Sequence, residues 1–263
     1  MPSPCPGATG MPTPTPAPAA AAGTDSGADA APLPPPLPPP TPPVWLFGYG
    51  SLIWRPAIAH TATFDGYIAP FRRAFYQAST DHRGTPDAPG RVVTIISPPA
   101  GGPPVRDDDP TWRVYGRAFR LPDASAAAIL SDVDVREQGG YRRTTVAVHP
   151  VGGGPPLTDV VCYVGEEANP MWRGRDAAER DEAAIATIID TAVGPSGAND
   201  EYLERLHDAL DGLGGDPHVA SLVAHLHRRR AARAAGLEGG GGGAPSPVAV
   251  ANGAAPPGKQ HRH

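Results

Sequence analysis

The apolar residues of this chain change their spacing near residue 170, and that change limits the possible folds more than any bulk property. Up to Gly165 they fall in short runs rich in β-branched and aromatic residues: VWLFGYG from Val44, about Thr63 to Ala78, RVVTIIS from Arg91, WRVYGRAFRL from Trp112, YRRTTVAVHPV from Tyr141 and DVVCYVG from Asp159. Bounded by Gly, Pro and Asp, these runs predict strands. In TTVAVHPV apolar and other residues partly alternate, as in a sheet with one better-buried face. One helix is expected within the series, Asp123 to Val133, started by Pro122-Asp123.

After Gly174 the period becomes helical. Ala184, Ile185, Ile188, Ile189 and Ala192 recur every three or four residues, as do Tyr202, Leu206, Leu210 and Leu213, and then Val219, Leu222, Val223 and Leu226. Gly194-Pro195 is expected to stop the first of these helices. Asp216-Pro217 should start the last, with a cap and a proline at its first position. Strands first and helices later predict an α+β domain with a mainly antiparallel, barrel-like sheet and helices packed to one side.

The ends of the chain are of another kind. The 36 prolines and 32 glycines of the 263 residues are concentrated there, so length alone overcounts domains. Residues 1–43 form a Pro/Ala-rich head ending in PLPPPLPPPTPP, which buries too little apolar surface to offset its ordering entropy. It is read as disordered, with polyproline II character near its end, and is either only a solvated extension or a docking arm for a polyproline-binding partner. Residues 236–263, with GGGGG at Gly239 to Gly243, read as a flexible tail. One domain of roughly 190 residues, 44–235, remains between them.

A formal net charge of −5 argues against a nucleic-acid binder, because phosphate backbones require a basic surface. No apolar run reaches the length of a membrane span, and the start lacks the basic and apolar regions of a signal peptide. Cys5 and Cys162 offer no disulfide framework, so Cys162 reads as a core residue and a reducing, cytoplasmic location is expected.

Three loops are candidates for chemistry. The first, Gly48-Tyr49-Gly50-Ser51, ends an apolar run. Its glycine spacing fails the dinucleotide fingerprint at Ile53, Ser51 lacks the flanking glycines of a nucleophile elbow, and no GK[ST] follows. What is left is either an outward-facing set of backbone N–H groups suited to a carboxylate or oxyanion, or a plain tight turn. The second is DVREQGGY, Asp134 to Tyr141. Partial burial of Glu137 there would raise its pKa toward the range of a general base; otherwise the loop is only solvated charge. The third is STDHRGTPDAPGRVVTI, Ser79 to Ile95. Arg91 enters the strand, where it faces either a substrate carboxylate or solvent. His82 has no Cys or His at metal-site spacing, so no metal is expected. His225, His227 and Arg228 to Arg230 close a helix, where positive charge complements the dipole.

Taken in order, VWLFGYGSLIWRP, STDHRGTPDAPGRVVT, DVREQGGYRRTTVAVHP, CYVGEEANP and AVGPSGANDEYL closely resemble the ChaC-like glutathione-specific γ-glutamylcyclotransferases, over Val44 to about Leu226. The resemblance implies a small mixed β-barrel flanked by helices and cleavage of glutathione to 5-oxoproline and Cys-Gly, without cofactor or water. It puts the substrate loop on Tyr49, Gly50, Ser51, Leu52, Ile53 and Trp54, and the catalytic glutamate on Glu137. Arg91, Tyr163 and Tyr202 are weaker candidates for positioning. One departure, Trp172-Arg173 where relatives carry an aromatic followed by leucine, is expected at the pocket rim.

The chemistry is economical. A γ-glutamyl amide carries its own nucleophile, and well-oriented intramolecular attack supplies ~7 to 11 kcal/mol. One carboxylate can take the amine proton and return it to the leaving group. Two alternatives stand beside this reading: a cyclotransferase for other γ-glutamyl amino acids or amines, and an inactive module that recruits polyproline-binding partners.

Overall fold

The computed structural model describes residues 42–99, 101–106, 109–137 and 140–236. The Pro/Ala-rich head through residue 41 and the tail from residue 237 lie outside the described residues.

Five strands close into a barrel in the order β1 (Trp45–Gly48), β5 (Val114–Arg120), β2 (Ala62–Ile68), β6 (Tyr141–Pro150) and β7 (Leu157–Gly165). Neighbours are antiparallel except at the seam, where β1 meets β7 in parallel at Leu46 and Val161. Closure removes the unpaired edges that an open sheet would expose. β3 (Arg72–Ser79) and β4 (Gly90–Ile96) form a separate antiparallel hairpin. The run read as one strand from Thr63 to Ala78 is therefore two. Pro70, which has no N–H to donate, falls between them, and there the chain leaves the barrel.

α1 (Ala126–Arg136) starts and ends three residues later than expected. Its last turn is held from outside: Asp134 accepts from the Tyr163 hydroxyl at 2.6 Å and from Arg143 Nη1 at 2.9 Å. The helix thus continues through Arg136 and delivers Glu137 at its C-cap.

The helical layer is α2 (Ala177–Arg180), α3 (Glu182–Thr191), α4 (Asn199–Asp211) and α5 (Pro217–Ala234). α3 ends before Gly194, because Val193–Gly194 (β8) pairs with Gly197–Ala198 (β9) in a short hairpin. Ile185, Ile189, Leu203, Leu206, Leu222 and Leu226 are fully or almost fully buried in one cluster with Phe47, Phe75 and Ile95. Each such side chain contributes about 1.5–3 kcal/mol by leaving water. Cys162 lies in the same cluster, and burial pushes its thiol up to about 12, so it is an inert core residue.

The basic end of α5 does more than complement a dipole. Arg229, Arg230 and Arg233 converge on the buried carboxylate of Asp190 in α3, and Arg230 also pairs with Asp200 and Glu204 of α4. These ion pairs tie three helices together.

Candidate active site

β1 runs into a tight turn whose sequence is dictated by contact. A Cβ on Gly48 would stand 2.6 Å from Cβ of Leu52, closer than side chains approach. The turn closes through the N–H of Ile53 donating to Gly50 O at 3.0 Å and that of Arg55 to Ser51 O at 2.8 Å. Among the described residues no acceptor meets the N–H of Gly50 or Ser51.

The six residues of the expected substrate loop have different environments. Tyr49 is buried and its hydroxyl donates to Tyr163 O at 2.6 Å, so its ring belongs to the interior. Ile53 is likewise core. The Trp54 ring stands edge-on to Tyr202 at 5.5 Å. Ser51 and Leu52 are half-buried, and a Cβ on Gly50 would stand 3.0 Å from Val93 and 3.2 Å from the Tyr202 hydroxyl.

Glu137 lies at the C-cap of α1, where its N–H donates to Val133 O. Burial raises its carboxyl above the usual value; Arg136 and His82 pull the other way, and Asp81 adds to the rise. Its charge in turn helps raise the phenols of Tyr49, Tyr141 and Tyr202, all three held up mainly by burial. The carboxylate therefore sits within electrostatic reach of Tyr49, in the glycine turn, and of Tyr202, whose hydroxyl would stand 3.2 Å from a Cβ on Gly50. Tyr141 donates to Val93 O at 2.7 Å, which keeps its ring beside the same turn.

The exit from Glu137 is fixed at Gly140. Its φ is +109°, and a Cβ there would overlap Asn169 Nδ2 at 1.8 Å. Only glycine fits that approach. Asn169 Nδ2 donates to Gly140 O at 2.9 Å and to Gln77 Oε1 at 3.0 Å, linking the glutamate loop to β3. A cavity of about 280 Å³ opens beside this loop, lined by Gly140, Tyr141, Arg142, Glu166, Asn169 and neighbours. A larger cavity, about 450 Å³, is lined mainly by residues of β3 and the starts of α3 and α5, and neither cavity is lined by Glu137 or the glycine turn.

Arg91 is not brought to this cluster. Its guanidinium is buried, its pKa lowered to about 10 by desolvation, and its charged neighbours are Glu179 and Arg173. Glu137 answers to Arg136, His82 and Asp81 instead. Tyr163 serves the end of α1 through Asp134. Trp172 is no rim residue: it is 2% exposed, stands edge-on to Tyr76 at 5.8 Å and bridges Gln77 by its backbone. His82 is exposed and meets Ser196 Oγ at 3.1 Å.

Several supports were not singled out from the sequence. Asn199 is fully buried and clamps the backbone of Arg91, accepting from its N–H at 2.7 Å and donating to its carbonyl at 2.8 Å. Thr94 Oγ1 accepts from Gly165 N–H at 3.0 Å. Asn169 and Asn199 lie in the ANP and GAND turns, which gave the only signal available.

A closed five-strand barrel with flanking helices is the γ-glutamylcyclotransferase fold. A solved glutathione-specific γ-glutamylcyclotransferase from yeast superposes with a TM-score of 0.62 at 29% identity, covering 71% of this chain and 96% of that one. The family model described as "ChaC-like protein" matches residues 44–229. The chain belongs to the ChaC-like family. It is similar to glutathione-specific γ-glutamylcyclotransferase 1 of Homo sapiens, 35% identical over 68% of this chain and 77% of that protein. The glutathione-specific enzyme of Schizosaccharomyces pombe is 34% identical over 71% and 93%.

Proposed function

We propose that this protein is a lyase that cleaves glutathione to 5-oxoproline and Cys-Gly, with Glu137 as the acid–base group and the Gly50–Ser51 backbone as the anion site. The observation that carries the reading is the pairing of a carboxyl raised by burial with a turn in which the N–H groups of Gly50 and Ser51 meet no acceptor among the described residues. The reaction needs both parts.

The steps balance within the substrate. The α-amine nitrogen attacks the γ-carbonyl carbon and forms the five-membered lactam. Its proton passes to Glu137, the carbonyl oxygen becomes an oxyanion, and collapse breaks the γ-amide C–N bond. Glu137 then returns the proton to the nitrogen of the departing Cys-Gly. A group that accepts and then donates works best with a pKa nearer the working pH, which is the direction burial gives Glu137. Donors fixed before reaction stabilise the oxyanion without reorganising. Ser51, Leu52 and Trp54 border the turn and shape the glutamyl pocket.

Residues 44–235 form the catalytic unit in this reading. The head also offers a polyproline ligand. The unit is assigned to the cytoplasm, in keeping with the free, buried Cys162; no helix among the described residues is long and apolar enough to cross a membrane. The test is a substrate panel scored by 5-oxoproline. Turnover of glutathione well above γ-glutamyl-alanine supports the assignment, and the reverse preference would replace it with a broader γ-glutamyl activity.

A further inference from the structure

We propose that Arg73, held by Asp216, is the residue that sets the substrate turn for reaction. This inference rests on the function proposed above. Arg72 and Arg73 are neighbours on β3 with opposite fates: Arg72 is exposed and bonds Thr111, whereas the side chain of Arg73 is 0% exposed. A fully buried guanidinium costs free energy unless every donor finds an acceptor in good geometry.

Arg73 finds them in the catalytic turn. Its Nε and Nη2 both donate to Tyr49 O, at 3.2 and 3.1 Å. Nη2 also donates to Tyr115 O at 2.6 Å, and Nη1 donates to Asp216 Oδ2 at 2.5 Å. The other oxygen of Asp216 caps α5, accepting from the N–H groups of His218 and Val219 at 3.1 Å each. A continuous polar chain thus runs from the start of α5 through Asp216 and Arg73 to the carbonyl of Tyr49.

The consequence follows from the peptide plane. In a trans peptide the C=O of Tyr49 and the N–H of Gly50 point in opposite directions across one rigid unit. Gripping that oxygen from the core fixes the Gly50 N–H away from it, as an anion donor requires. The forked contact matters, because a lysine ammonium brings charge without the planar pair of donors that sets the carbonyl's angle. Arg73 is a positioning residue, since it touches the turn and not the reacting atoms.

Arg73→Lys and Asp216→Asn test this in the full chain, with Ile189→Val as a core control. Asp216→Asn keeps an oxygen to cap α5 but turns an NH2 donor toward Arg73 Nη1, removing both the charge and the acceptor that hold the guanidinium. Both variants are expected to lose about 10²-fold in kcat/KM for glutathione, the scale of an ångström-level misplacement. Both should also shift the amide signals of Gly50 and Ser51 in the substrate-free protein, whereas Ile189→Val should lower only Tm. Turnover within two-fold of the parent and unmoved amide signals, in whichever of the two variants folds, would overturn the proposal. Should the parent itself not cleave glutathione, the functional reading falls, and the amide shifts still decide whether Arg73 sets the turn.

Discussion

The side-chain amide of Asn169 donates to the carbonyl of Gly140 at 2.9 Å, three residues beyond Glu137. The same amide reaches Gln77, and its oxygen accepts from Met171 N–H at 2.8 Å. One asparagine therefore fixes the exit of the glutamate loop against β3. Asn169→Ala is expected to cost about 1–3 kcal/mol, since it leaves buried partners unmet, and to lower kcat. Gly140→Ala should be worse, because a Cβ has no room at 1.8 Å and the backbone is left-handed. Urea midpoints of the two variants check the order; equal stability to the parent would show that the loop does not depend on this contact.

Glu137 should set the acidic limb of the pH profile. Its carboxyl is raised by burial, so log kcat/KM should rise with unit slope through a pKa above that of an ordinary glutamate. A limb centred at or below the ordinary value would contradict the burial argument.

The same shift has a sign in stability. A carboxyl raised in the folded state binds its proton more tightly there than when unfolded. Its stabilising contribution is complete below the unfolded value and is lost as pH rises through the raised folded value. Ionised Glu137 is then a net cost near neutrality. Glu137→Gln should raise Tm at pH 7, with the gain vanishing in acid; a lower Tm at pH 7 would mean the carboxylate holds the loop together.

Ser51 is half-buried in the turn, and among the described residues no base hydrogen-bonds its hydroxyl. Ser51→Ala should weaken glutathione turnover without abolishing it, because the backbone donors of the turn remain. Complete loss in a folded Ser51→Ala protein would mean that the hydroxyl takes part in the chemistry.

The order of elements and the barrel were legible because period-2 and period-3.6 patterns occupy different halves of the chain. The hairpin outside the barrel was not, since the run from Thr63 to Ala78 reads as one strand until Pro70 is seen to turn the chain away. Glu137 stood out as a charge beside glycines, but its burial depends on Asp134 meeting Tyr163 and Arg143, contacts between distant segments. Arg73 was invisible for a simpler reason. Of two adjacent arginines on a strand one must face inward, and nothing local says which. Arg91 shows the same limit: that its charged neighbours are Glu179 and Arg173 depends on distant segments that the local sequence does not reveal.

The central claim is that one carboxylate moves the proton while the substrate attacks itself. Release of 5-oxoproline and Cys-Gly from glutathione, compared in the parent and in Glu137→Gln at equal folded concentration, tests it most directly. The account predicts turnover in the parent and a fall of ~10²- to 10⁴-fold in the variant, with Tm preserved or raised. Near-parental release of Cys-Gly by folded Glu137→Gln would contradict it.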